Sequence, residues 1–160
     1  MRELDRYGAE LCSYQAKIFA KSRNFFQCSS KIFLRRFFHS IFASHLDFYN
    51  FYTFSYDELD CFNSILEDYG DSTYGKERLP EKVLHYIGYL TRYICYTRGV
   101  TSLFIYDIFG MNIFIERYEV LHTQSEEYAV RELLEINHLT EDIFDQDKLA
   151  KEVLRKKYRF

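Results

Sequence analysis

This sequence predicts an all-α fold, a compact bundle of about six or seven helices around an aromatic-rich core, on three observations. Only 1 Pro and 6 Gly occur in 160 residues, and these are the residues that interrupt helices and dominate tight turns. Apolar residues recur at spacings of three and four, the helical period, along most of the chain. Ser, Thr and Asp stand where such helices would begin, and Gly where several would end. Phe and Tyr number 16 and 15, with no Trp, so aromatic rings supply much of the core volume.

Taken in order, residues 3–23 align Leu4, Leu11, Tyr14, Ile18 and Phe19 on one helix face, and the Arg23-Asn24 pair is a stop. Ser29 or Ser30 caps a second helix running through Phe48. Its apolar stripe is Ile32, Phe33, Phe37, Ile41 and Phe42, with Arg35, Arg36 and His39 on the other side. A basic face beside aromatics is one footprint of nucleic-acid binding. Here the Phe residues fall at core spacing and only two arginines adjoin, so nucleic acid is not the expected partner. Asp47 to Phe54 is a polar-aromatic connector with no pairing partner for a strand. Ser55 and Glu58 form a Ser-x-x-Glu capping box for a helix ended by Gly70, with Leu59, Phe62, Ile65, Leu66 and Tyr69 as its buried stripe.

Asp71 to Pro80 is the one polar stretch holding both Gly and Pro. The expected organisation is a single helical domain, 1–160, with lobes 1–70 and 81–160 joined by linker 71–80. Pro80 suits the first turn of helix 81–98. That helix carries Val83, Ile87, Leu90 and Ile94 on one stripe and Tyr86, Tyr89, Tyr93 and Tyr96 on the next, the pattern of a central helix. Gly88 admits a close neighbour. Thr101 or Ser102 caps a short helix ending at Phe109-Gly110, and residues 112–121 form another. Thr123 and Glu126 make a second capping box for 124–136, with Tyr128, Val130, Leu133, Leu134 and Ile136 as its apolar residues and Asn137 as the stop. Thr140 caps a last helix, acidic at its start and basic at its end, which complements the helix dipole.

Net charge is −3, unevenly spread. Residues 1–50 hold 8 Lys and Arg against 4 Asp and Glu, and residues 51–160 hold 13 against 20. Such a dipole suits an oppositely patterned partner, though purposeless surface asymmetry is common. Cys12, Cys28, Cys61 and Cys95 lie 16, 33 and 34 residues apart, each in an apolar context and none in a CxxC pair. Buried, reduced thiols are expected rather than a zinc site. The charged start MRELDRYGAE does not resemble a secretory leader, and no apolar run reaches membrane-spanning length. The expected location is the cytoplasm, with no membrane partner.

Catalytic signatures are sparse. No Gly-x-Ser-x-Gly, His-x-x-x-His or Gly-rich phosphate loop occurs, so neither metal nor cofactor is expected. A helix-turn-helix outline over 102–122 fails on chemistry, because Ile113, Phe114 and Ile115 stand where polar base-reading side chains are needed. One pattern keeps an enzyme in view. Arg117 and His122 have the Arg-x4-His form seen in helical ribonucleases of the HEPN superfamily. That resemblance implies an Arg stabilising phosphate charge and a His moving protons during RNA cleavage. Tyr118 stands where that superfamily tends to carry a polar residue, and Arg131 with His138 matches the looser Arg-x6-His form.

The segment YIGYLTRYICYTRGVTSLFIYDIF, followed by FIERYEVLHTQSEEYAVRELLE, resembles a family of short helical bacterial proteins. The matching positions are Ser102, Ile105 and Tyr106, then Tyr118, Leu121, His122, Thr123, Glu127 and Tyr128. Genes of that family tend to lie beside a predicted ADP-ribosyltransferase-like toxin, so the resemblance implies an antitoxin-like, non-catalytic protein that neutralises a cognate toxin by direct binding. Tyr and Arg commonly anchor protein interfaces. The exposed members of Tyr49, Tyr52, Tyr56, Tyr74, Arg92 and Arg98 are the candidate contacts, and a homodimer is left open.

Overall fold

The two segments with the longest apolar periodicity become the two helices on which the rest is built. In the computed structural model these are α1 (Arg6–Phe25) and α5 (Glu81–Arg98), and their mutual contact is the most extensive between any two helices. The structure describes residues 1–48 and 55–158. Among them are eight further helices: α2 (Ser30–Phe38), α3 (Ile41–Asp47), α4 (Glu58–Tyr69), α6 (Ser102–Phe109), α7 (Asn112–Glu116), α8 (Tyr118–Leu121), α9 (Glu126–Ile136) and α10 (Ile143–Tyr158). The fold is all-α, with ten helices among the described residues rather than six or seven.

One of the additional breaks arises at a polar side chain that competes for backbone groups. The Ser40 hydroxyl donates to the Phe37 carbonyl at 2.6 Å and accepts from the Ala43 amide at 3.1 Å, ending α2 and opening α3 where one helix was expected. The stretch 112–121 divides at Arg117, whose ψ of 1° leaves the helical region, with no side-chain cap there. Two caps fall beside their expected positions. Asp57 and Asp60, not Ser55 and Glu58, form the reciprocal capping box of α4. Ser125 caps α9, while the Thr123 hydroxyl turns back to the Val120 carbonyl at 2.8 Å. Leu59 and Tyr69, expected on a buried stripe, are exposed, as are Ile41 from the expected apolar stripe of the second helix and Tyr128 from the apolar set of 124–136.

Helices α1 and α5 meet through glycine. A Cβ on Gly88 would lie 2.9 Å from both Ala16 Cα and the Gln15 carbonyl oxygen, so only glycine admits α1 at this distance. Phe19 of α1 anchors the rest of the core, edge-on to Phe33, Phe37 and Phe38 of α2 with ring centroids 4.7–5.8 Å apart. Phe26 and Phe62 extend this cluster toward α4. Residues 1–70 and 81–160 share one buried apolar cluster, which runs from Leu11 to Phe144. Segment 71–80 packs against the start of α2, where the Ser29 and Ser30 amides donate to the Tyr74 and Glu77 carbonyls at 3.0 Å. All four cysteines are buried and unpaired in disulfides. Among the described residues no helix is long and apolar enough to cross a membrane.

Candidate functional site

Of the six expected contact residues, the two arginines are core residues. Arg92 lies on the side of α5 that faces α1, α3 and α6, and none of it is exposed. Its guanidinium donates to Gln15 Oε1 at 2.8 Å, Asp47 Oδ1 at 2.8 Å and Ser102 Oγ at 2.7 Å. Asp47 in turn accepts from the Ser102 hydroxyl at 2.6 Å and the Ser102 amide at 3.0 Å, which pins the start of α6. Gln15 closes the network, donating to Thr91 Oγ1 at 2.9 Å and the Gly88 carbonyl at 3.0 Å. Arg98 is 5% exposed and holds Glu127 in a two-pronged ion pair at 2.7 and 2.8 Å, with Glu141 also at 2.7 Å. Neither arginine meets the condition of exposure, and a buried charge needs such partners. Tyr49 and Tyr52 lie outside the described residues. Tyr56 and Tyr74 are exposed at 49% and 77%.

The residues that carry the family resemblance are mostly built into the scaffold. Ser102 belongs to the Arg92 network, Glu127 is the partner of Arg98, and Ile105, Tyr118 and Leu121 are buried. Tyr106 packs its ring against Phe38 and His39. Thr123 and Tyr128 are exposed, the first bonded to its own helix end.

Arg117 and His122 are both exposed but do not converge on one groove. His122 stacks on Tyr118 with ring centroids 4.3 Å apart. Its Nδ1 lies 2.7 Å from the Tyr118 carbonyl; a carbonyl only accepts, so this nitrogen carries the proton. The shallow groove that His122 lines is completed by Lys82, His85, Tyr86, Tyr89, Tyr118 and Glu126, without Arg117. The Tyr86 hydroxyl beneath it is buried with no hydrogen-bond partner among the described residues, and burial pushes its pKa up. The arrangement offers a proton carrier on one side of α8 and no anion-stabilising arginine beside it.

Two surfaces have the character of binding sites. The first is on α10. Phe144 anchors this helix in the core, Asp147 accepts from the Thr101 amide at 2.6 Å, and Lys151 donates to the Val100 carbonyl at 3.5 Å. Its apolar side chains nevertheless point outward: Leu149, Val153 and Leu154 are 66%, 58% and 41% exposed. One exposed leucine is ordinary, whereas several on adjacent turns of one helix form a patch. The second surface is a groove of about 430 Å³ between α2, the end of α4 and segment 71–80. Arg35, Arg36 and His39 line one side, with Tyr69 and Tyr74 opposite. Sequence periodicity put the three basic residues on a polar face. It did not reveal that Gly70 turns the chain so that Tyr69 and Tyr74 meet them.

No group of three or more His, Cys, Asp or Glu among the described residues is placed to hold a metal ion. Comparison with protein-family models, curated proteins and solved structures yields no match to this chain.

Proposed function

We propose that this chain is a non-catalytic protein-binding module, an antitoxin-like component that neutralises an ADP-ribosyltransferase-like toxin by direct binding in the bacterial cytoplasm. The observation that carries the binding part of this reading is the uncovered apolar face of α10, with Leu149 and Val153 one turn apart and Leu154 beside them. A helix that offers leucine and valine at a four-residue spacing suits an apolar groove on a partner, the helix-in-groove mode of recognition. Exposed Tyr56 and Tyr74 add rigid rings of the kind that anchor interfaces. The toxin as partner comes from the resemblance of Ser102–Tyr128 to antitoxin-like proteins. The ribonuclease reading gains no support from geometry, because Arg117 does not line the groove of His122.

Co-expression with the product of the neighbouring gene tests the proposal. The expected result is a complex that survives size-exclusion chromatography and relief of that product's toxicity. Leu149→Glu combined with Val153→Glu abolishes both while the far-UV circular dichroism of the chain alone is retained. No complex and no relief with the native chain overturns the reading.

A further inference from the structure

We infer that the groove between α2, the end of α4 and segment 71–80 is a binding site for a nucleoside phosphate, a ligand that pairs a phosphate with a flat base. The inference rests on geometry independent of α10 and of the antitoxin reading. A volume of about 430 Å³ falls in the range of about 300–1,000 Å³ typical of small-molecule sites. No carboxylate lines it, although Asp and Glu outnumber Lys and Arg by 24 to 21 in the chain. Its charged wall therefore selects an anion.

The wall is organised in two tiers. Arg36 is committed to the protein, donating to the Gly70 carbonyl at 2.8 Å and lying over the Tyr69 ring at 5.4 Å. Arg35 is exposed and has no hydrogen-bond or ion-pair partner among the described residues. Its guanidinium is the group available to grip a phosphate in the two-pronged manner such forks favour. His39 stands one helical turn beyond. Its Nδ1 is held 2.7 Å from the Arg35 carbonyl, which fixes the ring and leaves Nε2 as the nitrogen for a ligand.

The aromatic side explains the base. Tyr74 exposes 77% of its surface, yet its backbone is pinned at both ends. Its amide donates to Ser72 Oγ at 3.1 Å, and its carbonyl accepts from the Ser29 amide at 3.0 Å. A ring on a fixed backbone loses little freedom when a base stacks on it, and stacking on tyrosine discriminates little among bases. An inorganic anion would use the arginine and leave the tyrosine idle. An acidic peptide would use the charge without requiring a flat ring.

Isothermal titration and NMR shift mapping of the full chain with AMP, GMP, inorganic phosphate and an Asp/Glu-rich peptide test this site. Saturable binding of AMP or GMP at least tenfold tighter than phosphate is expected. Arg35→Ala and Tyr74→Ala each weaken it about tenfold, in line with the loss of one stacking or charged contact. Both side chains are exposed, so their variants retain the wild-type Tm, and Lys17→Ala on α1 serves as a neutral control. No saturable nucleotide binding overturns the proposal. So does phosphate binding as tightly as AMP with no effect of Tyr74→Ala, or the acidic peptide binding more tightly than either nucleotide.

Discussion

Arg92 Nη1 donates to Asp47 Oδ1 at 2.8 Å, and the two side chains are only 0% and 4% exposed. This ion pair joins α5 to the end of α3 and, through Ser102, to the first turn of α6. Each of the three guanidinium nitrogens donates to a side chain on another helix, Gln15 of α1, Asp47 of α3 or Ser102 of α6, so the geometry of the pair fixes how four helices meet.

Breaking such a pair on one side leaves an uncompensated buried charge. Arg92→Ala is expected to destabilise the fold by about 3–5 kcal/mol. Asp47→Ala falls in the same range, because it also strips the Ser102 amide of its acceptor. The double variant Arg92→Met with Asp47→Leu costs less than the sum of the two single changes, since no lone charge remains. Urea unfolding followed by circular dichroism measures all three; additive losses would show that the pair is not coupled.

Gly88 supplies a test of the α1–α5 contact. In a helix interior Ala is favoured over Gly by about 0.5–1 kcal/mol, so Gly88→Ala would stabilise an isolated α5. In the folded chain the new methyl meets Ala16 Cα and the Gln15 carbonyl at 2.9 Å, both parts of the α1 backbone that cannot step aside. Overpacking of this kind costs about 1–3 kcal/mol, so the substitution is expected to lower stability. A raised Tm would show that the helices are not as close as this.

These two contacts mark how far periodicity reaches. The α5 boundaries, Glu81 and Arg98, agree with the expected helix 81–98, and Gly88 was legible as a place of close approach. Capping residues were harder, because Ser55, Asp57, Thr123 and Ser125 all offer suitable oxygens and only the three-dimensional path decides which amide each one meets. Arg92 and Arg98 were misplaced for a definite reason. An arginine on a helix reads as surface unless its partners are visible, and those partners lie 45 residues away at Asp47 and 29 and 43 residues away at Glu127 and Glu141. The groove at Arg35 depended on the turn after Gly70, and the apolar face of α10 was blurred by its interleaved charges.

Glu127 gives a pH-dependent prediction. The hydrogen bonds from Arg98, assisted by one from Tyr93, hold its carboxyl below the ordinary value of 4.5, against the opposing effect of partial burial. A depressed folded-state pKa means that the ionised carboxylate stabilises the fold above the unfolded pKa, and that this contribution disappears as pH falls through the folded value. Glu127→Gln is therefore expected to lower Tm at pH 7, by about 2–4 °C for a domain of this size. The gap between variant and wild type should begin to shrink as pH falls below 4.5 and close once pH is below the depressed folded-state value. Thermal melts across pH 3–7 measure it, and a gap independent of pH would mean that the carboxylate charge contributes nothing.

The four cysteines extend the same reasoning to reactivity. Burial pushes the thiols of Cys12 and Cys95 up to about 12, and those of Cys28 and Cys61 also upward. The thiolate is the reactive form, and at pH 8 a thiol with so high a pKa is ionised in only about one molecule in ten thousand. Steric burial adds to this, since all four are 4% exposed or less. Incubation with a disulfide reagent at pH 8 should label almost none of the native chain within minutes and release four equivalents once urea unfolds it. The rate of native labelling then reports local opening rather than surface chemistry, with Cys28, at the α2 start beside segment 71–80, expected to react first. Fast labelling of Cys61, which is wholly buried between α1 and α4, would contradict the packing of those two helices.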